Sequence, residues 1–235
     1  MIDYNLIAIE ANKRLQSSLN LTGNSVDGKW GLGSQNRLVG SKRKLAYDWP
    51  TLRYHFGSFT QSQVDGLNEI LLAINTYGKE ALNPSYFAYM LATVKLETAN
   101  TFKPIEEYGK GRGRRYGRRM DVDGSTYSNQ LPIYYGRGLI QITWLTNYVL
   151  MKKILGVDFV NKPELALVPK YAAQIMIEGM LRGSFTGKSL SSYIEYGLYS
   201  EFIEARRIIN GVDKKYLIAQ YAVQFLDSLV LVEGQ

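Results

Sequence analysis

Three glutamates stand close together in "VKLETANTFKPIEEYG": Glu97, then Glu106 and Glu107. A pair of carboxylates can cleave a glycosidic bond without metal or cofactor, one protonating the leaving oxygen while the other activates water. Asn83 and Pro84 read as the N-cap and first residue of a helix running to about Thr98. At 100° per residue, Phe87, Met90, Leu91, Val94 and Thr98 share one stripe, with Glu97 at its edge. A carboxylate there is partly desolvated and sits at the negative end of the helix dipole. Both effects favour its protonated form, which a general acid needs. Asn100 and Pro104 then end the helix, and Phe102 and Ile105 can anchor a returning segment that brings Glu107 opposite Glu97. Glu106 is a rival for the same place. On spacing alone the three residues also fit a helix-end glutamate followed by a solvated loop pair.

A second constellation lies in "YYGRGLIQITWLTNY", residues 134–148. Glycines flank Arg137, and Gln141, Thr143, Trp144 and Asn147 alternate with apolar residues. Glycine lets a backbone approach a ligand closely. Amides and hydroxyls beside an aromatic ring are the groups that a sugar site uses. The same segment also reads as a tight turn entering a helix capped by Thr143.

Composition removes competing chemistries. The chain has no cysteine and a single histidine, His55, so His/Cys zinc sites and Cys–His or Ser–His nucleophiles have little to draw on. His55 lies between aromatics in "LRYHFG" and reads as a packing residue. No metal and no cofactor are expected. A net charge of +7 favours anionic partners, including the anionic surface of a cell envelope. The cluster Arg112, Arg114, Arg115, Arg118 and Arg119 fits a cationic rim better than a nucleic-acid site, and no nucleic acid is expected. "DVDGSTYSNQLP" has Pro132 where a calcium loop needs a bidentate glutamate, so it reads as a turn. No apolar run approaches the ~20 residues of a membrane span. The opening residues lack the pattern of a secretory signal, which makes the cytoplasm the expected place of synthesis.

The elements that would hold these residues are mostly helices. Residues 1–45 look like a separate module: Leu6 or Ile7, Ala11, Leu15 and Leu19 fall at helical spacing, "TGNSVDGKWG" is a turn cluster, and Ser34 can cap a second helix through "SQNRLVGSKRKL". Beyond a basic junction, helices are expected after Thr60, over 84–98, and near 143–155, 169–182, 199–210 and 214–232. Residues 108–140 read as loops with at most short strands.

Three blocks, "KLETANTFKPIEEYG", "YYGRGLIQITWLTNY" and "EARRIING", resemble the family-19 glycoside hydrolases, the chitinase-like lysozymes common among phage endolysins. They span about residues 50–235, and "LQ…L…VDGxWG" resembles short three-helix peptidoglycan-binding modules. The resemblance implies a mainly α, lysozyme-like helical catalytic domain with a cleft over residues 46–235, preceded by a small three-helix module over residues 1–45. It implies Glu97 as general acid, Glu107 as the base that activates water, and Thr143 as the hydroxyl that helps hold that water. Gln141, Asn147 and Asn210 fall at sugar-binding amide positions, with Tyr135, Trp144 and Arg206 as further substrate contacts. The family often has a histidine where this chain has Leu96. The implied protein is a monomeric endolysin that hydrolyses β-1,4 bonds of peptidoglycan with inversion at the anomeric carbon. It would stay in the host cytoplasm until the membrane is permeabilised and then reach the wall. A chitinase and a lytic transglycosylase are the alternatives.

Overall fold

The helix that ends in Glu97 is the most buried of the described helices. In the computed structural model, which describes residues 2–114, 133–209 and 211–234, it spans Pro84–Glu97 and every residue from Phe87 to Val94 is buried. It is therefore buried on all sides through its middle, with only Tyr86, Lys95, Leu96 and Glu97 half-buried, rather than a helix with a single apolar stripe. Its start is as the sequence implies: the Asn83 Oδ1 accepts from the N–H groups of Ser85 and Tyr86 at 2.9 and 3.1 Å.

The helices in chain order are α1 (Tyr4–Ser18), α2 (Leu32–Val39), α3 (Trp49–Phe56), α4 (Gln61–Tyr77), α5 (Pro84–Glu97), α6 (Leu145–Leu155), α7 (Pro169–Arg182), α8 (Tyr199–Glu204) and α9 (Lys215–Asp227). The strands are β1 (Arg43–Tyr47), β2 (Ile105–Glu106), β3 (Arg137–Gly138) and β4 (Leu229–Glu233). The described chain is thus mainly helical. It divides into two compact units: residues 1–61, 74–93 and 180–235 form one, and residues 62–73 and 94–179 form the other.

In the first unit α1 packs on α9, and β1 pairs antiparallel with β4, placing Leu45 opposite Leu231. The division expected at residue 45 therefore falls inside a paired strand. Residues 1–45 share their unit with the C-terminal segment, and the structure draws its division elsewhere. The helix expected over 214–232 stops at Asp227, because in "LVLVE" Leu229 and Leu231 are buried while Val230 and Val232 are exposed, a period of two that suits a strand. Similarly, 199–210 breaks into α8 and a 3-10 turn over Ala205–Ile208. Gly31, not Ser34, stands at the N-cap of α2. The buried Ser34 hydroxyl instead accepts from the Gln16 side-chain amide at 3.0 Å.

His55 packs edge-on against Tyr54 and Phe56 and meets the Asp227 carboxylate at 2.6 Å. Arg14 reaches the other oxygen of Asp227 at 2.6 Å, so one carboxylate ties α1, α3 and the end of α9. Burial pushes the Asp227 carboxyl up, but the hydrogen bonds from His55 and Arg14 outweigh it and hold the group below its ordinary value. A carboxyl depressed in the native state stabilises the fold above its unfolded value near 4, and that contribution is lost as pH falls through the native value.

In the second unit α4 contributes buried Leu67 and Ile70, and α7 contributes Ala172, Ala173, Met176 and Ile177. Phe102, Leu139, Ile142, Tyr148, Met151 and Phe159 complete its core. Among the described residues no helix is long and apolar enough to cross a membrane.

Asp227→Asn should lower stability at pH 7 by roughly 2 kcal/mol, the scale of hydrogen bonds to a charged group. The gap from the parent should narrow below about pH 4 as the parent carboxyl protonates. Urea midpoints at pH 7 and pH 3 measure both effects.

Candidate active site

The turn after Glu97 is built from strained backbone. Ala99, Asn100 and Phe102 have φ of 49°, 67° and 55°, the left-handed region that non-glycine residues avoid. Local bonds hold it there. Thr98, fully buried, donates its hydroxyl to the Val94 carbonyl at 2.7 Å and accepts from the Phe102 N–H at 3.1 Å. Gln63 of α4 donates to the Asn100 carbonyl at 2.7 Å. Gly66 of the same helix has no room for a side chain, since a Cβ there would lie 2.3 Å from the Phe102 carbonyl oxygen. The expected bend is therefore present, with Phe102 as its buried anchor.

The chain then enters β2, which pairs antiparallel with β3, Ile105 opposite Gly138 and Glu106 opposite Arg137. Glu107 continues the ladder. Its N–H donates to the Gly136 carbonyl at 2.7 Å, and its side-chain Oε2 accepts from the Gly136 N–H at 3.0 Å. That double contact fixes both ends of Glu107 against one residue. It requires glycine: a Cβ on residue 136 would lie 2.8 Å from the Gln141 Oε1 and 3.2 Å from the Glu107 Cβ.

The two rival glutamates have different surroundings. Glu106 accepts from the Tyr135 hydroxyl at 2.5 Å, pairs with Lys110 at 3.1 Å and lies 4.0 Å from the Arg137 Nε. The Tyr135 bond, followed by Lys110, holds its carboxyl below the ordinary value against the effect of burial. Glu106 is thus a brace for its own hairpin. Glu107 takes a main-chain N–H instead.

The remaining sequence-derived residues divide by what they touch. Gln141, with a φ of 54°, donates its side-chain amide to the carbonyls of Ile105 and Gly138, both at 3.1 Å. It braces the hairpin that carries Glu107. Tyr135 is buried, its hydroxyl spent on Glu106 and its ring 3.7 Å from the Arg137 guanidinium carbon. Asn147 donates to the Thr143 carbonyl at 2.8 Å, while the half-buried Thr143 hydroxyl makes no hydrogen bond among the described residues. Trp144 precedes α6 at a φ of 68° and remains 39% exposed. Its left-handed backbone delays the helix to Leu145, so Thr143 stands two residues before α6 and does not cap it. All of these, with Glu97 and Glu107, belong to the second unit. Arg206 belongs to the first, buried, its Nε donating to the Asp213 carbonyl at 3.1 Å. Asn210, Arg115, Arg118, Arg119 and the turn over 121–132 lie outside the described residues.

Arg137, which the sequence left without a role, organises the hairpin of the candidate site. It is 5% exposed and spends Nη1 on the carbonyls of Ile133 and Tyr135 and on the Tyr148 hydroxyl. Tyr148 donates in turn to the Tyr135 carbonyl at 3.0 Å, and burial pushes its hydroxyl up to about 12, so it stays a neutral donor. The signal was an arginine between two glycines in an otherwise apolar run. Among the described residues no group of three His, Cys, Asp or Glu side chains could hold a metal ion.

No family model matches the sequence, and no curated protein is significantly similar to it. Solved structures do share its fold. Chitinase C from Streptomyces griseus aligns with a TM-score of 0.53 at 21% identity, covering 79% of this chain and 77% of that one. The structure of a chitinase C mutant aligns with a TM-score of 0.51 at 20% identity, covering 79% and 93%. This is a chitinase C-like fold.

Gly136→Ala should destabilise the protein by about 1–3 kcal/mol, the usual penalty for forcing atoms into a filled site. Adding Gln141→Ala removes the nearest colliding atom and should recover part of that loss. Urea midpoints of the two single variants and the double variant give the coupling directly.

Proposed function

We infer that the chain is a glycoside hydrolase that cleaves β-1,4 bonds of bacterial peptidoglycan by inversion, in the manner of a phage endolysin. The observation that carries this reading is the unlike support of its two carboxylates. Glu97 ends the most buried helix, whereas Glu107 is pinned to a hairpin by a main-chain donor. Two acids in unlike surroundings can divide acid and base roles between them. In this reading Glu97 gives its proton to the glycosidic oxygen as the bond to the anomeric carbon breaks. Water attacks that carbon from the opposite face, losing a proton to Glu107, while the Thr143 hydroxyl holds the water. Inversion requires about 6.5–9.5 Å between the two carboxyl groups so that the water fits. The exposed Trp144 supplies a stacking surface for a sugar ring. Gln141, Asn147 and Tyr135 act on substrate through the backbone they brace.

The +7 charge suits an anionic wall and draws the enzyme to its polymer. The enzyme acts as a monomer, released from the host cytoplasm once the membrane is permeabilised. A chitinase acting on N-acetylglucosamine homopolymer is the second reading, favoured by the fold shared with Streptomyces chitinase C. Release of soluble sugar from chitin oligomers, with no action on purified sacculi, would select it.

Glu97→Gln and Glu107→Gln should each lower the rate of turbidity loss of outer-membrane-stripped cells by at least about 10³-fold, with an unchanged circular dichroism spectrum. Glu106→Gln should stay within about tenfold of the parent, since its carboxylate braces the hairpin. Full activity in either of the first two variants removes that residue from the mechanism.

A further inference from the structure

The first unit contains a cavity of about 560 Å³ built by three separate stretches of chain, residues 30–35, 83–86 and 191–201. Tyr86, Tyr193 and Tyr196 give it aromatic walls, and Leu32 and Ile194 add apolar surface. A second cavity of about 380 Å³ shares Gln35, Asn83, Tyr86 and Ser191 with it, so the groove continues past its first chamber. That form fits several linked rings better than one small molecule.

The polar groups in the groove are of two kinds. Some are spent on the fold. The carboxylate of Glu201 accepts from the N–H groups of Tyr196, Gly197 and Leu198. Gln35 accepts from the Trp30 indole and donates to the Leu82 carbonyl, both at 2.9 Å. Others have no partner among the described residues: the side-chain N–H groups of Asn83, whose oxygen caps α5, and the hydroxyls of Tyr86 and Tyr193. Burial, then Glu201, pushes the Tyr86 hydroxyl up, so it remains a neutral donor. Hydrogen-bond donors set among tyrosine rings suit neutral acceptors presented on an apolar ring face.

Charge narrows the ligand. The larger cavity is lined by Glu195 and Glu201 and, among the described residues, by no lysine or arginine. Lys79 and Glu80 line the second cavity and the Lys29 ammonium lies 5.7 Å from the Tyr196 ring centroid, so acids and bases nearly balance along the groove, which in a chain of net charge +7 suits a neutral ligand better than an anionic one. An N-acetylated hexosamine meets the requirements. Its acetamido carbonyl accepts from Asn83, its methyl group packs on apolar surface, and its ring face stacks on tyrosine.

The geometry points to a second saccharide site, a groove that holds a neutral N-acetylhexosamine strand on residues 30–35, 83–86 and 191–201. All its residues belong to the first unit, whereas Glu97 and Glu107 belong to the second. Its chemistry does not depend on hydrolysis. The groove also needs two stretches beyond residue 45, so the N-terminal segment supplies only part of it.

Full-length protein carrying Glu97→Gln, to stop turnover, is titrated calorimetrically with the soluble β-1,4 tetramer of N-acetylglucosamine. Two classes of site are expected. Adding Asn83→Asp keeps a competent helix cap while removing the free donor, and should weaken one class by about tenfold, the effect of one lost hydrogen bond, and leave the other unchanged. Tyr193→Ala should weaken the same class, which guards against a local effect of the charge added at residue 83. Affinities untouched by both variants overturn the proposal, as does displacement of the sugar by a lysine-containing tetrapeptide. A single class that is lost in both variants upholds the groove and counts against the hydrolytic reading instead.

Discussion

The reciprocal contact between Glu107 and Gly136 is the constraint on which the candidate site depends. One residue gives a main-chain acceptor and a main-chain donor to the other, and the donor meets the side-chain carboxylate itself. A carboxylate held by a peptide N–H has its direction set by the backbone ladder, with less reliance on its own rotamer preferences. The ladder is only two residue pairs long and could not persist alone. Arg137 makes it durable: buried, it gathers the Ile133 and Tyr135 carbonyls, the Tyr148 hydroxyl and the Tyr135 ring around one cation. Glu106 lies 4.0 Å from that cation and accepts from Tyr135, so the hairpin carries its own counter-charge.

Strain concentrates around the same hairpin. Of eight non-glycine residues with positive φ in the described chain, six lie between Ala99 and Trp144. Each costs on the order of 1–2 kcal/mol. Such a run persists only where surrounding contacts over-determine it, as Thr98, Gln63 and the pressure of Gly66 on Phe102 do here. The compensation comes from the largely buried α5 and the apolar core beneath β3, where an added Cβ on Gly138 would come 3.0 Å from the Ala166 carbonyl. The proposed mechanism asks for a backbone around Glu97 and Glu107 that is set before substrate arrives, and these contacts support one.

How much of this could be read beforehand differs by element. The start of α5 was legible because Asn–Pro is a local signal, acting through an N-cap bond and a fixed φ. α7 was expected near 169–182 and spans Pro169–Arg182. The pairing of β1 with β4 was not, because it joins residues nearly two hundred positions apart and neither strand has a turn signal pointing to the other. For the same reason residues 1–45 read as a module although they share a unit with the C-terminal segment. At the site, residue types were readable but hydrogen-bond partners were not. Gln141 and Tyr135 carry the groups that a sugar site uses, yet both spend them on the hairpin. Arg137 was noted only for its flanking glycines and is the buried organiser of the strand.

In the proposed mechanism Glu97 and Glu107 act on opposite faces of one sugar with a water between them. Proton NMR of the product within the first minutes of digestion, before mutarotation, reads the stereochemistry that this arrangement imposes. Inversion at a β-1,4 bond predicts that the new reducing end appears first as the α anomer. A product that appears first as the β anomer, or that carries a 1,6-anhydro end, would contradict it.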